Sequence, residues 1–277
     1  MDKVDKFINN SKDINSEKNF EGQKNKINFE NSHVYINELR NLLVNGAKEL
    51  GIDLNPDEVE KLFSYMDLIK IWNNKFNLTS IDDDHDFIVK HFLDSLSILP
   101  FIKKFENIDN INIIDIGTGA GFPAIPLKII LKDINITMLD AVEKKVKFLD
   151  VCISTLKLKN TKAFHGRAED YGHNKEHREK YDIAVARAVA SLPVLLEYCL
   201  PFVKKDGIFI AMKGKNMEEV SASQRALNEL GGKIEEIEEI TMPSSDNVRN
   251  IIIVKKFRQT PPNYPRKAGK PSKMPLI

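Results

Sequence analysis

The chain has 277 residues, 42% of them hydrophobic and 29% charged, with a formal net charge of +1 and two cysteines. That composition suits a globular protein able to bury a real core, and it excludes a disulfide framework and a four-cysteine zinc site, leaving Cys152 and Cys199 as reduced, buried thiols. Bulk charge gives no reason to expect a polyanionic partner, so any nucleic-acid binding must rest on local basic patches.

Residues 1–31 are rich in Asn, Lys, Asp, Glu and Ser and read as a largely disordered leader, whose acids offset the lysines an RNA-touching arm would need. A helical region is expected over 32–108. From Tyr35 the pattern places Ile36, Leu39, Leu43, Ala47 and Leu50 on one stripe, and Gly51 ends it. Asn55-Pro56-Asp57-Glu58 supplies a capping Asn, a proline at the first helical position and acids at the positive end of the dipole. The helix it opens carries Val59, Leu62, Phe63, Met66, Ile69 and Trp72. A third helical segment follows Asp82-Asp83-Asp84, with Phe87, Ile88, His91, Phe92, Ser95, Leu96 and Leu99 facing inward. Those adjacent acids point in different directions and suit capping rather than a metal site.

After Asn110 short apolar strands alternate with helices. Strands are expected at 111–116, 134–141, 161–166, 181–188 and 206–214, with helices between them. KIEEIEEITMP and VRNIIIVKKF then alternate like an antiparallel pair. Continuous apolar strands separated by helices predict a parallel sheet covered on both faces, with a ligand at the carboxyl ends of the strands. No apolar run approaches bilayer length, and MDKVDKFINN lacks a signal peptide's apolar stretch, so a cytoplasmic protein is expected.

The first strand runs into NIIDIGTGAGFPAIP. Gly117, Gly119 and Gly121 give G-x-G-x-G, whereas the dinucleotide fingerprint and the phosphate loop both need a glycine where Phe122 stands. Pro123 and Pro126 remove amides from the first helical turn, which makes it a poor diphosphate cradle. A cofactor with a nucleoside and no phosphate remains, and S-adenosylmethionine fits. Asp115 can orient the turn or the cofactor's ammonium group. Asp140 closes the second strand, where it either accepts ribose hydroxyls or caps the following helix. In HGRAEDYG, Ala168 and Glu169 fall under the adenine, with Asp170 the alternative if the register slips by one. Arg187 ends the fourth strand and needs a partner: an ion pair with a nearby acid, or an anion or guanine O6 at the cofactor mouth.

Two further stretches need weighing. His173-Asn174-Lys175-Glu176-His177 spells a zinc-protease pattern but lies in a short charged stretch without an apolar helix face, so no metal site is expected. Residues 255–277 hold seven Lys or Arg, five prolines and no acid. They read as a solvated tail or, with Phe257 and Tyr264 interleaved, as an RNA-binding segment.

DIGTGAGFPAIPLKI, MLDAVEKKVKFL, GRAED, ARAVASL and AMKG resemble the bacterial glucose-inhibited division protein B family. These are Rossmann-like methyltransferases that modify N7 of a guanine in a loop of 16S ribosomal RNA. FNLTSIDDDHDFIVKHFLDSL is similar to the family's helical signature, and YPRKAGKPSKMPL to its basic ending. The likeness runs from about Tyr35 to the C-terminus; the leader departs from it. It implies a class I S-adenosylmethionine-dependent methyltransferase with a mostly parallel seven-stranded sheet, helices on both faces and an N-terminal helical extension. The methyltransferase domain would occupy 109–258 and a basic tail 259–277. Cofactor contacts are implied at Gly117, Phe122, Ala168, Glu169 and Arg187. The implied partner is 16S ribosomal RNA, in the 30S subunit or its assembly intermediate, met by a monomer away from membranes. Guanine N7 carries an in-plane lone pair and no proton, so its methylation needs placement rather than a general base. Arg187 is then expected to steady the guanine or its phosphate. An NAD-dependent oxidoreductase and a non-catalytic ribosome-assembly protein are the rivals.

Overall fold

A computed structural model of the chain describes residues 22–105, 108–215 and 217–277, with side chains from Val34 onward. Residues 1–21 of the expected leader lie outside the described residues. The chain divides into two units, Met1–Arg40 and Asn41–Ile277. Helix α1 (Gly22–Glu49) begins ten residues before the boundary expected at 32 and runs across that division. Leu43 and Ala47 are buried as its stripe requires, whereas Ile36 is exposed.

In the second unit, helix α2 (Pro56–Phe76) starts as its sequence dictates. The Asn55 side chain accepts from the Glu58 amide at 3.0 Å, and Glu58 accepts from the Asn55 amide at 3.0 Å. Asp83 caps the next segment by accepting from the Asp86 amide at 2.8 Å. That segment is helical over Asp84–Phe87 and then widens into a π-helix at Ile88–Leu93. π-Helical turns concentrate at functional sites, and this one carries His91.

The strands are β1 (Asn112–Ile116), β2 (Asn135–Asp140), β3 (Thr161–His165), β4 (Tyr181–Arg187), β5 (Val203–Lys213), β6 (Gly232–Thr241) and β7 (Val248–Lys256). They form one seven-stranded sheet in the order β3-β2-β1-β4-β5-β7-β6. β7 alone runs against the others, pairing antiparallel with β5 and β6. Ile114, Ile116, Ala184, Ala186, Phe209 and Ala211 point to one face. There they pack with Leu192, Leu195 and Leu196 of α6 (Leu192–Cys199) and with Ala226, Leu227 and Leu230. Ile113, Ile183, Val185 and Ile210, of opposite parity, are also buried. Both faces are therefore covered, which is why the strands read as continuous apolar runs. α3 (Ala124–Ile130), α4 (Glu143–Thr155) and the short α5 (Ala168–Tyr171) follow β1, β2 and β3.

The chain leaves β1 for β2 and β3 on one side and returns to β4 on the other, so the switch point lies between β1 and β4. Their register sets Asp115 opposite Val185, which brings Gly117 and Arg187 side by side at the carboxyl edge. Among the described residues, no helix is long and apolar enough to cross a membrane.

Candidate active site

Beyond Ile116, Gly117, Gly119 and Gly121 adopt φ values of 71°, 63° and 103°, a region that strains any residue with a Cβ. At Gly121 a Cβ would also lie 2.6 Å from Ile125 and 2.8 Å from the Tyr65 hydroxyl. That hydroxyl donates to the Ala120 carbonyl, tying α2 to the turn. The amides of Gly117, Thr118, Gly119, Gly121, Phe122, Ala124 and Ile125 all donate within the protein, and Pro123 has none. A diphosphate would meet few open donors here.

Asp115 lies beneath the turn, 1% exposed. Its Oδ2 accepts from the Thr118 hydroxyl at 2.7 Å and the Ala124 amide at 3.2 Å, while its buried Oδ1 has no hydrogen-bond partner. Burial drives its pKa up to about 7, against the opposing pull of those two bonds and of Arg187. Both bonds run to residues of the turn and of the helix start that follows it.

A first cleft opens at the ends of β1, β2 and β3. It is lined by Ile116, Gly117, Leu139, Ala141, Gly166, Arg167, Ala168, Glu169, Val189 and Tyr198. The mostly apolar wall, with two glycines, one carboxylate and one guanidinium, suits a nucleoside. Asp140 stands just behind it. Its Oδ2 accepts from the Gly119 amide at 2.9 Å and its Oδ1 from the Val142 amide at 2.8 Å. It therefore tethers the glycine turn and braces the start of α4, while each oxygen keeps a second lone pair. Glu169, 5% exposed, lines the cleft, and its Oε1 accepts from the Gly269 amide at 2.8 Å. Asp170 is not among the lining residues.

Phe122 points away from this cleft. Its ring stacks on His91 with centroids 4.4 Å apart and lies 5.0 Å from the Arg187 guanidinium carbon. Tyr65, Phe87 and Phe92 complete the aromatic cluster. Of the two kinds of partner open to Arg187, the structure shows an ion pair with an acid. Nη1 donates to Asp94 Oδ2 at 2.8 Å and to the Lys90 carbonyl at 2.9 Å, and Nη2 meets His91 Nδ1 at 3.1 Å. Burial and the adjacent guanidinium push the His91 pKa down to about 3. The imidazole is thus neutral, accepting from Arg187 and donating through Nε2 to Thr79 Oγ1 at 2.8 Å.

Arg187 opens on a second cleft, lined by Ile81, Lys90, His91, Asp94, Arg187, Ala188, Met212, Lys213, Gly214 and Arg249. Four cations line it against one carboxylate. Ala188 faces this cleft and Val189 faces the first, so the segment after β4 partitions the two.

The C-terminal stretch is not a solvated tail. Lys256 is 0% exposed and donates to Glu179 at 2.9 Å and to the Leu200 and Val203 carbonyls. Arg266 binds buried Glu197, and Arg178 donates to the Thr260, Pro261 and Tyr264 carbonyls. Lys267, Lys270 and Lys273 remain exposed. The 173–177 stretch is a turn whose imidazoles diverge, His173 to the Pro265 carbonyl and His177 to the Tyr181 hydroxyl. Asp83, His85 and Asp86 bring potential ligand atoms within 4.8 Å of one another, but Asp83 caps a helix and Asp86 pairs with Lys90.

The family model GidB, described as rRNA small subunit methyltransferase G, matches residues 58–251. The chain belongs to the GidB family. A ribosomal RNA small subunit methyltransferase G of Acetivibrio thermocellus is 56% identical over 239 residues, covering 86% of this chain and 97% of the relative. Proteins of the same name from Clostridium botulinum and Alkaliphilus oremlandii are 48% and 47% identical, each covering 86% of this chain and 99% of the relative. The GidB match takes in the glycine turn, both clefts, Asp94 and Arg187. It ends before the C-terminal residues Arg266 and Gly269, whose bonds to Glu197 and Glu169 were not expected from the sequence. Glu197 was the available signal: a carboxylate in the apolar helix LPVLLEYC requires a partner, by the same logic applied to Arg187.

Proposed function

We propose that this chain transfers the methyl group of S-adenosylmethionine to N7 of a guanine in 16S ribosomal RNA. The first cleft holds the cofactor and the second admits the guanine. The observation that carries this reading is the glycine turn, whose amides, apart from that of Ala120, donate within the protein beside an apolar cleft. That arrangement favours an uncharged nucleoside over a dinucleotide. When bound, S-adenosylmethionine supplies an electrophilic methyl on a sulfonium.

Gly117, Ala168 and Glu169 border the adenosine, Gly119 and Gly121 shape the turn, and Asp140 holds that turn beside the ribose. Asp115 and Phe122 act from beneath, through the turn and the aromatic cluster. Arg187 is fixed by Asp94, Lys90 and His91 in the second cleft, where Lys90, Lys213 and Arg249 add positive charge. Cations there suit guanine O6 and the flanking phosphates. N7 needs no base, in keeping with a His91 imidazole whose two nitrogens are both engaged.

The substrate is the RNA within the 30S subunit or its assembly intermediate, met in the cytoplasm by a monomer. Glu235, Glu236, Glu238 and Glu239 crowd edge strand β6 with like charge, which discourages edge-to-edge pairing. Labelled methyl transfer to small subunits, with the modified base mapped by N7-directed cleavage, tests the activity. Calorimetry with S-adenosylhomocysteine and with NAD separates the oxidoreductase alternative. NAD binding without S-adenosylhomocysteine binding overturns the reading.

A further inference from the structure

Residues Arg266–Lys273 lie against the first cleft from outside. Arg266 is the hook. Its amide donates to Glu197 Oε1 at 2.7 Å, Nε to Oε1 at 2.9 Å and to Oε2 at 3.1 Å, and Nη2 to Oε2 at 2.6 Å. Glu197 is 0% exposed, so the hook satisfies a carboxylate that has left water entirely. Two contacts then reach the cleft wall. The Gly269 amide donates to Glu169 Oε1 at 2.8 Å, and Ser272 Oγ meets the Tyr198 hydroxyl at 2.8 Å. Glu169 and Tyr198 both line the cleft, whereas no residue of the segment does. Gly269 takes φ 79° with nothing near its absent Cβ, so the backbone turn that aims this amide is what calls for glycine.

We propose that Arg266–Lys273 is a strap that sets the adenosine wall of the cofactor cleft. In this arrangement Glu169 is a positioning residue: its carboxylate grips the strap, and adenine recognition falls to the backbone of Ala168 and Glu169. The proposal rests on the first cleft being the cofactor site.

The test is calorimetry on the full chain with S-adenosylhomocysteine and with its inosine analogue, in which a 6-oxo group replaces the 6-amino group. Glu169→Ala, Ser272→Ala and Tyr198→Phe each lose one wall contact, and each is expected to weaken S-adenosylhomocysteine by about fivefold. Their melting temperatures should stay near wild type. Ser272→Thr, which keeps a hydroxyl, and Glu169→Gln, which keeps an acceptor for the Gly269 amide, should restore binding. Glu169→Ala should weaken both compounds equally, since it acts through the wall. A loss confined to the adenine compound makes Glu169 a direct reader and overturns the proposal. So does affinity within about twofold of wild type in Glu169→Ala and Ser272→Ala. A wild-type chain that binds neither compound removes the cofactor reading, and the strap with it. Wild-type binding with unshifted variants removes the strap alone.

Discussion

Asp94 clamps Arg187 to Arg249: its Oδ2 lies 2.8 Å from Arg187 Nη1 and its Oδ1 2.8 Å from Arg249 Nε. The carboxylate comes from the end of the π-helical segment and the guanidiniums from β4 and β7, so one buried acid pins the floor of the second cleft. Asp94→Ala strands two cations and is expected to cost about 3–5 kcal/mol of stability in denaturant unfolding. Arg187→Lys keeps a charge for Asp94 but loses the fork to Lys90 and His91. It should fold, bind S-adenosylhomocysteine normally and transfer methyl roughly 100-fold more slowly. Normal turnover in that variant would reduce Arg187 to a structural ion pair.

Asp115 makes stability depend on pH in the direction opposite to a salt-bridged carboxylate. Its folded pKa of about 7 lies above the ordinary 3.8 because burial disfavours the anion. Below about pH 4 both folded and unfolded forms are protonated, and nothing is lost. As pH rises toward 7 the unfolded chain ionises freely while the native carboxyl resists, so native stability falls by about 1.4 kcal/mol per pH unit. Asp115→Asn removes this penalty. Its urea midpoint relative to wild type should climb from about pH 4 to pH 7 and then level off. A constant difference across that window would show the carboxyl to be ordinary.

The sheet and the glycine turn were legible because their signals are local. Apolar strand runs, the three glycines and the Asn55 cap each lie within a few residues. What escaped was long-range. Asp94 and Arg187 are 93 residues apart in the chain, and Glu169 and Gly269 are 100 apart. Composition left the C-terminal stretch as a solvated tail or an RNA-binding segment, since nothing nearby in the sequence shows Arg266 reaching Glu197. Phe122 packs among Tyr65, Phe87, Phe92 and His91, which no spacing rule joins to the turn.

Lys267, Lys270 and Lys273 are the exposed cations of the strap, and they should carry RNA contacts while the hook carries structure. Replacing all three with Ala leaves Arg266, Gly269 and Ser272 in place. Small-subunit RNA should then bind more weakly, with a log–log salt dependence shallower by about two to three. S-adenosylhomocysteine affinity should not move. An unchanged salt slope would place the RNA footprint elsewhere, with the second cleft's own cations the next to replace.

Val189 lines the first cleft beside Gly117. Its Cγ2 lies 2.7 Å from where a Cβ on Gly117 would sit, so the side chain rests on the bare glycine. The cavity there is about 150 Å³, smaller than the ~300–1,000 Å³ of typical small-molecule sites. Ala188, with φ 55°, holds the preceding link in a region that non-glycine residues seldom adopt. On the proposed cofactor reading of this cleft, the Val189 side chain is expected to swing off Gly117 on binding. Val189→Ala removes the plug and should tighten S-adenosylhomocysteine by a few-fold, chiefly through faster association. Val189→Phe fills the same space and should weaken it by at least about tenfold while the melting temperature holds. Stopped-flow binding and calorimetry read both. If the two variants shift affinity in the same direction, Val189 is not the barrier.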